Sequence, residues 1–266
     1  MLNSLLSLLL LPLITATTTP SSVNAPTAPI HVLALDGTTY LTSRNSSSIL
    51  RSLDQSFSIE IWIRLDQAPT NVPERRAFVA ALADVGDVEG GAHVHNARGW
   101  WLGLDRQSRL SFGCTTKGDQ KSWNKQAETV VHSPMHLVVG DWYYVVVTYD
   151  SSTGLGKLFA NGRAAGSRSL GKGGTYYGDI GEDNRDLPSV TVLRYKDRNV
   201  DQRMAASIGS IGFWKTSLKS SAVAIAAKSM QQRDDALVRE ASRAIPSTKL
   251  VSFFRFEVGH GSMIDG

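Results

Sequence analysis

Apolar and polar residues alternate along several short segments of the chain, with the period of two that is typical of β-strands. From Phe57 to Leu65 every second residue is apolar, and the residues between them are Ser58, Glu60, Trp62 and Arg64. The segment from Trp142 to Asp150 is instead apolar on both faces. We expect a strand of this composition inside a sheet that is covered on both sides.

A further strand is predicted from Gly99 to Asp105. Trp100, Leu102 and Leu104 share one face, and we expect these three large side chains to pack in the core. The same period places Trp101 on the opposite, outer face beside Gly103, where packing and ligand contact both stay open as its role.

Turn signals and the C-terminal part of the chain complete the pattern. Asn161-Gly162 lies between two extended segments and predicts a type I′ hairpin, because both residues tolerate positive φ. Strands are predicted over Ser207 to Trp214 and Leu250 to Val258, and between them two short surface helices over Ser220 to Met230 and Asp234 to Ile245. These elements predict an all-β, two-sheet antiparallel sandwich with short C-terminal helices.

The composition is that of a folded, turn-rich domain, with 42% hydrophobic residues, 20% charged residues and 23 glycines among 266 residues. The net charge is +4, but the lysines and arginines are scattered. A chain without a long basic run is a poor candidate for nucleic-acid binding, so we predict no nucleic-acid partner.

The N-terminal segment predicts export. Residues 1–16 contain a leucine-rich run, Leu5 to Ile14, that is too short to span a bilayer, as in a secretory signal peptide. Residues 17–29 form a Thr/Ser/Pro linker, and residues 30–266 form the predicted domain. We therefore expect a secreted, extracellular protein without a transmembrane anchor.

Two features bear on an extracellular location. Asn45-Ser46-Ser47 is an N-glycosylation sequon, which makes Asn45 a candidate glycosylation site. Cys114 is the single cysteine, so an intramolecular disulfide is excluded. Cys114 shares a predicted strand face with Leu110 and Phe112, which favours a buried, inert thiol over a reactive one.

Several segments together carry a resemblance to a known family. They are Leu35 to Leu41 (L-D-G-T-T-Y-L), the tryptophan-bearing strand Phe57 to Ile63, Gly140 to Asp150 with the Asn-Gly hairpin of Leu158 to Gly162, and Ile208 to Leu218. In this order they resemble the laminin G-like jelly-roll domains of the concanavalin A-like lectin/glucanase superfamily. The resemblance implies a jelly-roll sandwich and favours a binding function, although a fold by itself does not specify a function.

The chain departs from the family pattern in its closing strand. Many members carry an Asp-Glu pair where this chain has Gly209-Ser210, so the resemblance does not imply a metal site there. Leu250 to Gly266 is similar to a segment that often begins a domain in related modules. This segment either pairs as a terminal strand or opens a second module.

No catalytic residues are predicted. Glucanase relatives carry their carboxylates on a Glu-x-Asp-x-x-Glu strand, which is absent here, and no Ser-His-Asp order is found. Asp84, Asp87 and Glu89 are the densest acidic cluster beside a predicted strand. The surrounding glycines favour a solvated loop, with a metal or catalytic site as the alternative.

No metal or cofactor is predicted either, although calcium stays open. His93 and His95 would share a strand face and could bind zinc if a third ligand approached. Residues 181–186 offer oxygen ligands of the kind that calcium prefers, without the spacing of a known calcium loop.

Carbohydrate binding requires an aromatic surface for the sugar ring and fixed hydrogen-bonding groups beside it. The candidate carbohydrate-binding residues are Trp62, Glu60, Arg64, Trp101, Trp123, Tyr176 and Tyr177. Each aromatic residue has packing as its alternative role. We predict a secreted, non-enzymatic module that binds carbohydrate or glycoprotein; the alternatives are a glycoside hydrolase and a structural protein-adhesion domain.

Overall fold

The computed structural model describes residues 32–43, 46–68, 76–84, 97–117, 129–177, 188–197, 200–232, 247–255 and 263–265. The strands and helices of this part are β1 (Leu33–Asp36), β2 (Leu41–Thr42), α1 (Ser46–Ser52), β3 (Phe57–Leu65), β4 (Arg76–Asp84), β5 (Ala97–Leu104), β6 (Arg109–Cys114), β7 (Thr129–His136), β8 (Trp142–Asp150), β9 (Leu155–Ala160), β10 (Arg163–Ser169), β11 (Thr191–Val192), β12 (Arg194–Asp197), β13 (Val200–Arg203), β14 (Ala205–Trp214), α2 (Ser220–Gln232), β15 (Leu250–Arg255) and β16 (Met263–Asp265).

The strands form a two-layer sandwich. Sheet A has the strand order β10-β9-β8-β3-β14-β15-β16, and β1 also pairs with β14. Sheet B has the order β2-β11-β4-β5-β6-β7, and β12 with β13 forms a separate hairpin. Neighbouring strands are antiparallel, as between β3 and β8 or β5 and β6. The predicted all-β antiparallel sandwich is therefore confirmed.

The core lies between the two sheets, where the alternating pattern places it. The apolar face of β3, from Phe57 to Leu65, is buried against β5, whose contribution is Trp100, Leu102 and Leu104. Cys114 of β6 is buried in the same cluster and forms no disulfide, as its strand position and its being the single cysteine predict. A one-residue slip of β3 would replace its apolar face with Ser58, Glu60 and Arg64, so burial determines the register.

Strand β8 is covered on both faces, as its composition predicts. Tyr143 and Val145 face the core between the sheets, whereas Tyr144 and Val146 face helix α2. The helix buries Val223 and its neighbouring alanines against sheet A, so the expectation that it is a surface appendage is wrong. The apolar outer face of β8 needs a cover, and an alanine-rich helix can approach a sheet closely.

The predicted hairpin at Asn161-Gly162 is confirmed. Both residues have positive φ, 50° and 79°, and they connect β9 to β10. The Asn161 side chain also accepts a hydrogen bond from the Tyr144 backbone N–H at 2.9 Å, which ties the turn to β8. Glycine and asparagine are the residues that occupy this backbone region at least cost.

The remaining elements were predicted from the sequence only in part. Strand β15 pairs with β14, so Leu250 begins a terminal strand, as the first of the two alternatives has it. Helix α1 and strands β4 and β7 were not predicted from the pattern. The predicted signal peptide, linker and Asp234 to Ile245 helix lie outside the described residues, and the domain limits 30–266 stay a prediction.

Within the described residues, we find no helix with the length and apolar character needed to cross a membrane.

Candidate functional site

Neighbouring side chains cover the candidate aromatic surface on β3. Trp62 is only 4% exposed, because its ring packs against Trp142 at a centroid distance of 6.3 Å and against Tyr144 at 6.4 Å. The Arg64 guanidinium in turn covers the Trp142 ring at 5.3 Å. Strand β3 lies between β8 and β14, so large neighbours flank Trp62. Packing, the alternative role of Trp62, is therefore what the structure shows, and Arg64 lies half-buried beside it.

Glu60 is also buried. Its Oε2 accepts a hydrogen bond from the Tyr144 hydroxyl, and Gly212 lies opposite on β14. A Cβ at Gly212 would be 2.5 Å from Glu60 Oε1, so glycine leaves the room that the carboxyl occupies. Burial raises the pKa of Glu60, although the Tyr144 hydroxyl and the Trp214 indole act in the opposite direction. A carboxyl held in this way cannot contact a sugar at the surface.

Trp101 faces away from the core, as its strand position predicts, but it is fully buried. The Tyr195 ring of the β12–β13 hairpin covers it edge-on, at a centroid distance of 5.8 Å and an angle of 89°. This hairpin packs over the outer face of β4 and β5, a contact that no local pattern predicts. Packing, one of the two roles left open for Trp101, is therefore its observed role.

Tyr176 and Tyr177 are buried at the sandwich rim. The Tyr177 hydroxyl accepts a hydrogen bond from Trp100 Nε1 at 2.9 Å, and the Tyr176 N–H donates to the Thr115 carbonyl at 2.9 Å. Packing at the rim, the alternative role of both tyrosines, is therefore what the structure shows. Trp123 and Asn45 lie outside the described residues.

The candidate metal ligands are also largely outside the described part of the chain. Asp87, Glu89, His93, His95 and residues 181–186 fall there, and of Asp84 only the backbone at the end of β4 is described. Among the side chains that the structure does describe, no group of three or more His, Cys, Asp or Glu is arranged to hold a metal ion.

A polar cluster that the sequence did not indicate lies on the outer face of sheet B. It begins at the turn between β5 and β6, where Asp105 Oδ1 accepts the backbone N–H groups of Gln107 and Arg109, each at 2.9 Å. Asp105 Oδ2 accepts Arg109 Nε at 2.9 Å. Burial alone would raise the pKa of Asp105, but the hydrogen bonds from Arg109 and Gln107 lower it overall. The carboxylate is therefore ionised and holds the turn and Arg109 in place.

His132 of β7 joins this cluster across the strand pair β6–β7. Its Nδ1 lies 3.0 Å from Ser111 Oγ and 3.0 Å from Asp105 Oδ2. An ionised carboxylate can only accept a hydrogen bond, so His132 Nδ1 carries the proton. In the neutral ring, the other nitrogen, Nε2, then has a lone pair that can accept a hydrogen bond. Since the side chain is 37% exposed, Nε2 is available at the surface.

Burial, supported by two nearby arginines, favours the neutral form of His132 at pH 7. Burial lowers its pKa, Asp105 raises it, and the positive charges of Arg109 and Arg168 lower it further, so that the pKa lies below its ordinary value of 6.5. A neutral imidazole with its proton on Nδ1 presents a hydrogen-bond acceptor to the solvent.

Arg168 reaches the cluster from the other sheet. It lies on β10, is exposed, and donates from Nη1 to the Val130 carbonyl of β7 at 3.2 Å. The two strands approach closely at Gly166, where a Cβ would be 2.5 Å from the His132 carbonyl oxygen. Glycine at this position therefore allows β10 to bring Arg168 beside β7. We call Asp105, Arg109, Ser111, His132 and Arg168 the His132 cluster.

The geometry excludes a hydrolytic triad in this cluster. A nucleophilic serine and its carboxylate must contact opposite nitrogens of the histidine, whereas Ser111 and Asp105 both contact Nδ1. Ser111 is fully buried and cannot reach a substrate. Within the cluster Asp105 is the single carboxylate, so the pair that glycoside hydrolysis requires is absent there. What the cluster offers is a set of fixed donors and one acceptor on an exposed sheet face.

Comparison with known proteins places the chain in a family. The profile of the family described as the concanavalin A-like lectin/glucanases superfamily, in its laminin G form, matches residues 35–224. This match covers more than half of the chain, and the protein belongs to that superfamily. No curated protein matches the sequence.

Solved structures share the fold at low sequence identity. A candidate carbohydrate-binding protein from Bacteroides ovatus is similar with a TM-score of 0.53 at 13% identity, over 90% of this chain and 56% of that chain. The CBM40 of the Ruminococcus gnavus IT-sialidase, solved with α2,3-sialyllactose, has a TM-score of 0.54 at 10% identity, over 74% of this chain and 96% of that chain. The chain thus spans 56% of the length of the Bacteroides protein.

Proposed function

We propose that this protein is a secreted, non-catalytic carbohydrate-binding module that holds its glycan on the outer face of sheet B, at the His132 cluster. The observation that carries the proposal is the cluster itself, in which surface groups able to bond hydroxyls are held in fixed positions by a buried aspartate. Membership of the lectin/glucanase superfamily supports it, as do structural neighbours that bind carbohydrate.

The chemistry of the cluster suits a sugar. His132 Nε2 accepts a hydrogen bond from a hydroxyl, while Arg109 and Arg168 offer donors on either side of it. Donors and acceptors that are fixed before binding reduce the entropy lost when a ligand is ordered. Since Trp62, Trp101, Tyr176 and Tyr177 are buried, hydrogen bonds rather than ring stacking supply the contacts in this proposal.

Secretion and the absence of catalysis are parts of the same proposal. The leucine-rich residues 1–16 support export, and the missing carboxylate pair in the His132 cluster supports binding without turnover. An export assay with and without residues 1–16 tests the first part. Release of reducing ends from any glycan that is bound would overturn the second and favour a glycoside hydrolase.

The binding experiment is a glycan array with the purified protein, followed by calorimetric titration of the best ligand. We expect glycan binding that His132→Ala weakens by up to about tenfold, the upper end of what one hydrogen bond between neutral groups contributes. Arg163→Gln is the matched control, because Arg163 is an exposed residue at the far end of β10, about 16 Å from Arg168 at the rise of a strand. The absence of binding to any glycan, or equal binding by His132→Ala, would overturn the proposal.

A further inference from the structure

The charges of the His132 cluster do not balance. Its positive groups are Arg109 on β6 and Arg168 on β10, with Arg106 exposed in the adjoining turn and His136 exposed further along β7. Within the cluster, Asp105 is the single negative group. Among the described residues named here, the arginines therefore outnumber the carboxylate, whatever the charge of the two histidines.

Asp105 cannot neutralise both arginines. Its Oδ1 accepts two backbone N–H groups, and its Oδ2 accepts Arg109 Nε and the proton of His132 Nδ1. This carboxylate is 6% exposed and faces into the protein, and its ion pair is formed with Arg109. The same contacts hold Arg109 beside Gln107, whose Oε1 accepts from Arg109 Nη2 at 2.7 Å.

Arg168 is held differently. The Val130 carbonyl fixes Nη1 of its guanidinium, and this carbonyl is a neutral acceptor. A planar guanidinium has five N–H donors in a rigid fork, and the fork matches the paired oxygens of a carboxylate or sulfate. The side chain is exposed, so an anion can approach it from solvent.

The imidazole supports the same conclusion. Burial lowers the pKa of His132, and the nearby guanidinium groups of Arg109 and Arg168 act in the same direction against Asp105, so both arginines lie close enough to act on the ring. The neutral ring then provides an acceptor for a hydroxyl beside the place where an anion would lie. An acceptor and an anion site side by side suit one sugar that carries both groups.

We propose that the ligand of the His132 cluster is an acidic sugar, with its carboxylate or sulfate on Arg168 and a neighbouring hydroxyl on His132 Nε2. This inference rests on the proposed function, since it names the class of glycan bound at the same surface.

The test uses a glycan array printed with matched pairs, in which each neutral oligosaccharide stands beside its uronic-acid, sialylated and sulfated versions. We expect the acidic member of a pair to bind at least about tenfold more strongly than the neutral member at low salt, with most of this difference lost at about 0.5 M NaCl. The uronic-acid and sialylated arms report a carboxylate, and the sulfated arm reports a sulfate.

Two arginine variants locate the anion. Arg168→Gln should remove the difference between acidic and neutral members, and Arg168→Lys should restore only part of it, because lysine keeps the charge and loses the fork. Arg163→Gln should leave the difference unchanged. Unfolding curves of all three variants check that each exposed substitution leaves the fold intact.

The outcomes separate the two proposals. If neutral and acidic members bind equally and His132→Ala still weakens binding, the acidic-sugar inference is wrong and the carbohydrate-binding proposal stands. If acidic members are preferred but Arg168→Gln keeps the preference, the anion lies elsewhere and the inference is also wrong. If no glycan binds, the proposed function itself fails.

Discussion

Replacement of Asp105 by asparagine tests both the turn and the ring orientation of His132. Asparagine keeps one oxygen for the backbone N–H groups of Gln107 and Arg109, but places an amide NH₂ where Oδ2 now accepts Arg109 Nε and His132 Nδ1. The N–H groups of Arg109 Nε and His132 Nδ1 would then face the asparagine NH₂, which is also a donor. The ion pair is lost, and the histidine must move its proton to Nε2 or turn away.

The magnitude follows from the bonds that are lost. A hydrogen bond to a charged group contributes about 1.5–3 kcal/mol, and the partly exposed Arg109 recovers some of that from water. We expect Asp105→Asn to lower the free energy of unfolding by about 2 kcal/mol, which corresponds to a fall in Tm of about 4–8 °C for a domain of this size.

Thermal and denaturant unfolding measure the loss, and ¹⁵N NMR of the imidazole reports which nitrogen carries the proton. Asp150→Asn is the matched control, because Asp150 also accepts turn N–H groups, from Ser152 at 2.9 Å, but is paired with no arginine or histidine in the described structure. A loss below about 0.5 kcal/mol for Asp105→Asn, or an unchanged proton position, would refute this account of the cluster.

Acid should have the same effect as the substitution. The pKa of Asp105 is lowered in the folded protein, so its contribution to stability is present above the ordinary value of 3.8 and is lost as the pH falls through the lower folded value. The stability difference between wild type and Asp105→Asn should therefore shrink on acidification. A difference that stays constant down to pH 2 would contradict this sign.

Three further predictions concern residues that pack within or between the sheets. Burial raises the pKa of Glu60, so wild type should lose stability relative to Glu60→Gln as the pH rises from 4.5 through the raised folded pKa. The Tm values of the two proteins should therefore diverge across this pH range. Parallel curves of Tm against pH would contradict the reasoning. Gly166→Ala should lower the free energy of unfolding, measured with denaturant, by about 1–3 kcal/mol and should weaken glycan binding, because the added Cβ would lie 2.5 Å from the His132 carbonyl oxygen. An unchanged free energy of unfolding would mean that β7 and β10 separate easily. Trp101→Ala should cost about 3–5 kcal/mol in the same assay through lost packing against Tyr195, whereas loss of binding at unchanged stability would return Trp101 to the ligand site.

The local pattern predicted a strand well when apolar residues marked one or both of its faces as buried. The alternation from Phe57 to Leu65 and the doubly apolar segment at Trp142 to Asp150 each specify which faces are covered. Strand β7 escaped prediction because Pro134 lies within it, at a register shift on the edge of sheet B, where proline is tolerated.

The candidate site shows where this reasoning ends. The period of two correctly placed Trp101 away from the core, yet Tyr195, 94 positions later, covers it. Exposure depends on what packs over a face, and that partner is distant in sequence. The same holds for Trp62, which Trp142 and Tyr144 enclose.

By itself, the sequence determined the class of fold, the register of the main strands and the hairpin at Asn161-Gly162, because each depends on residues close together in the chain. Only the tertiary structure decided which polar groups meet. Asp105, His132 and Arg168 come from a turn and two strands of different sheets, and the contacts between them exist only once β6 pairs with β7 and β10 packs against it. Cross-strand pairing and sheet packing join residues that no local pattern connects, and for that reason the proposed binding surface could not be predicted from the sequence.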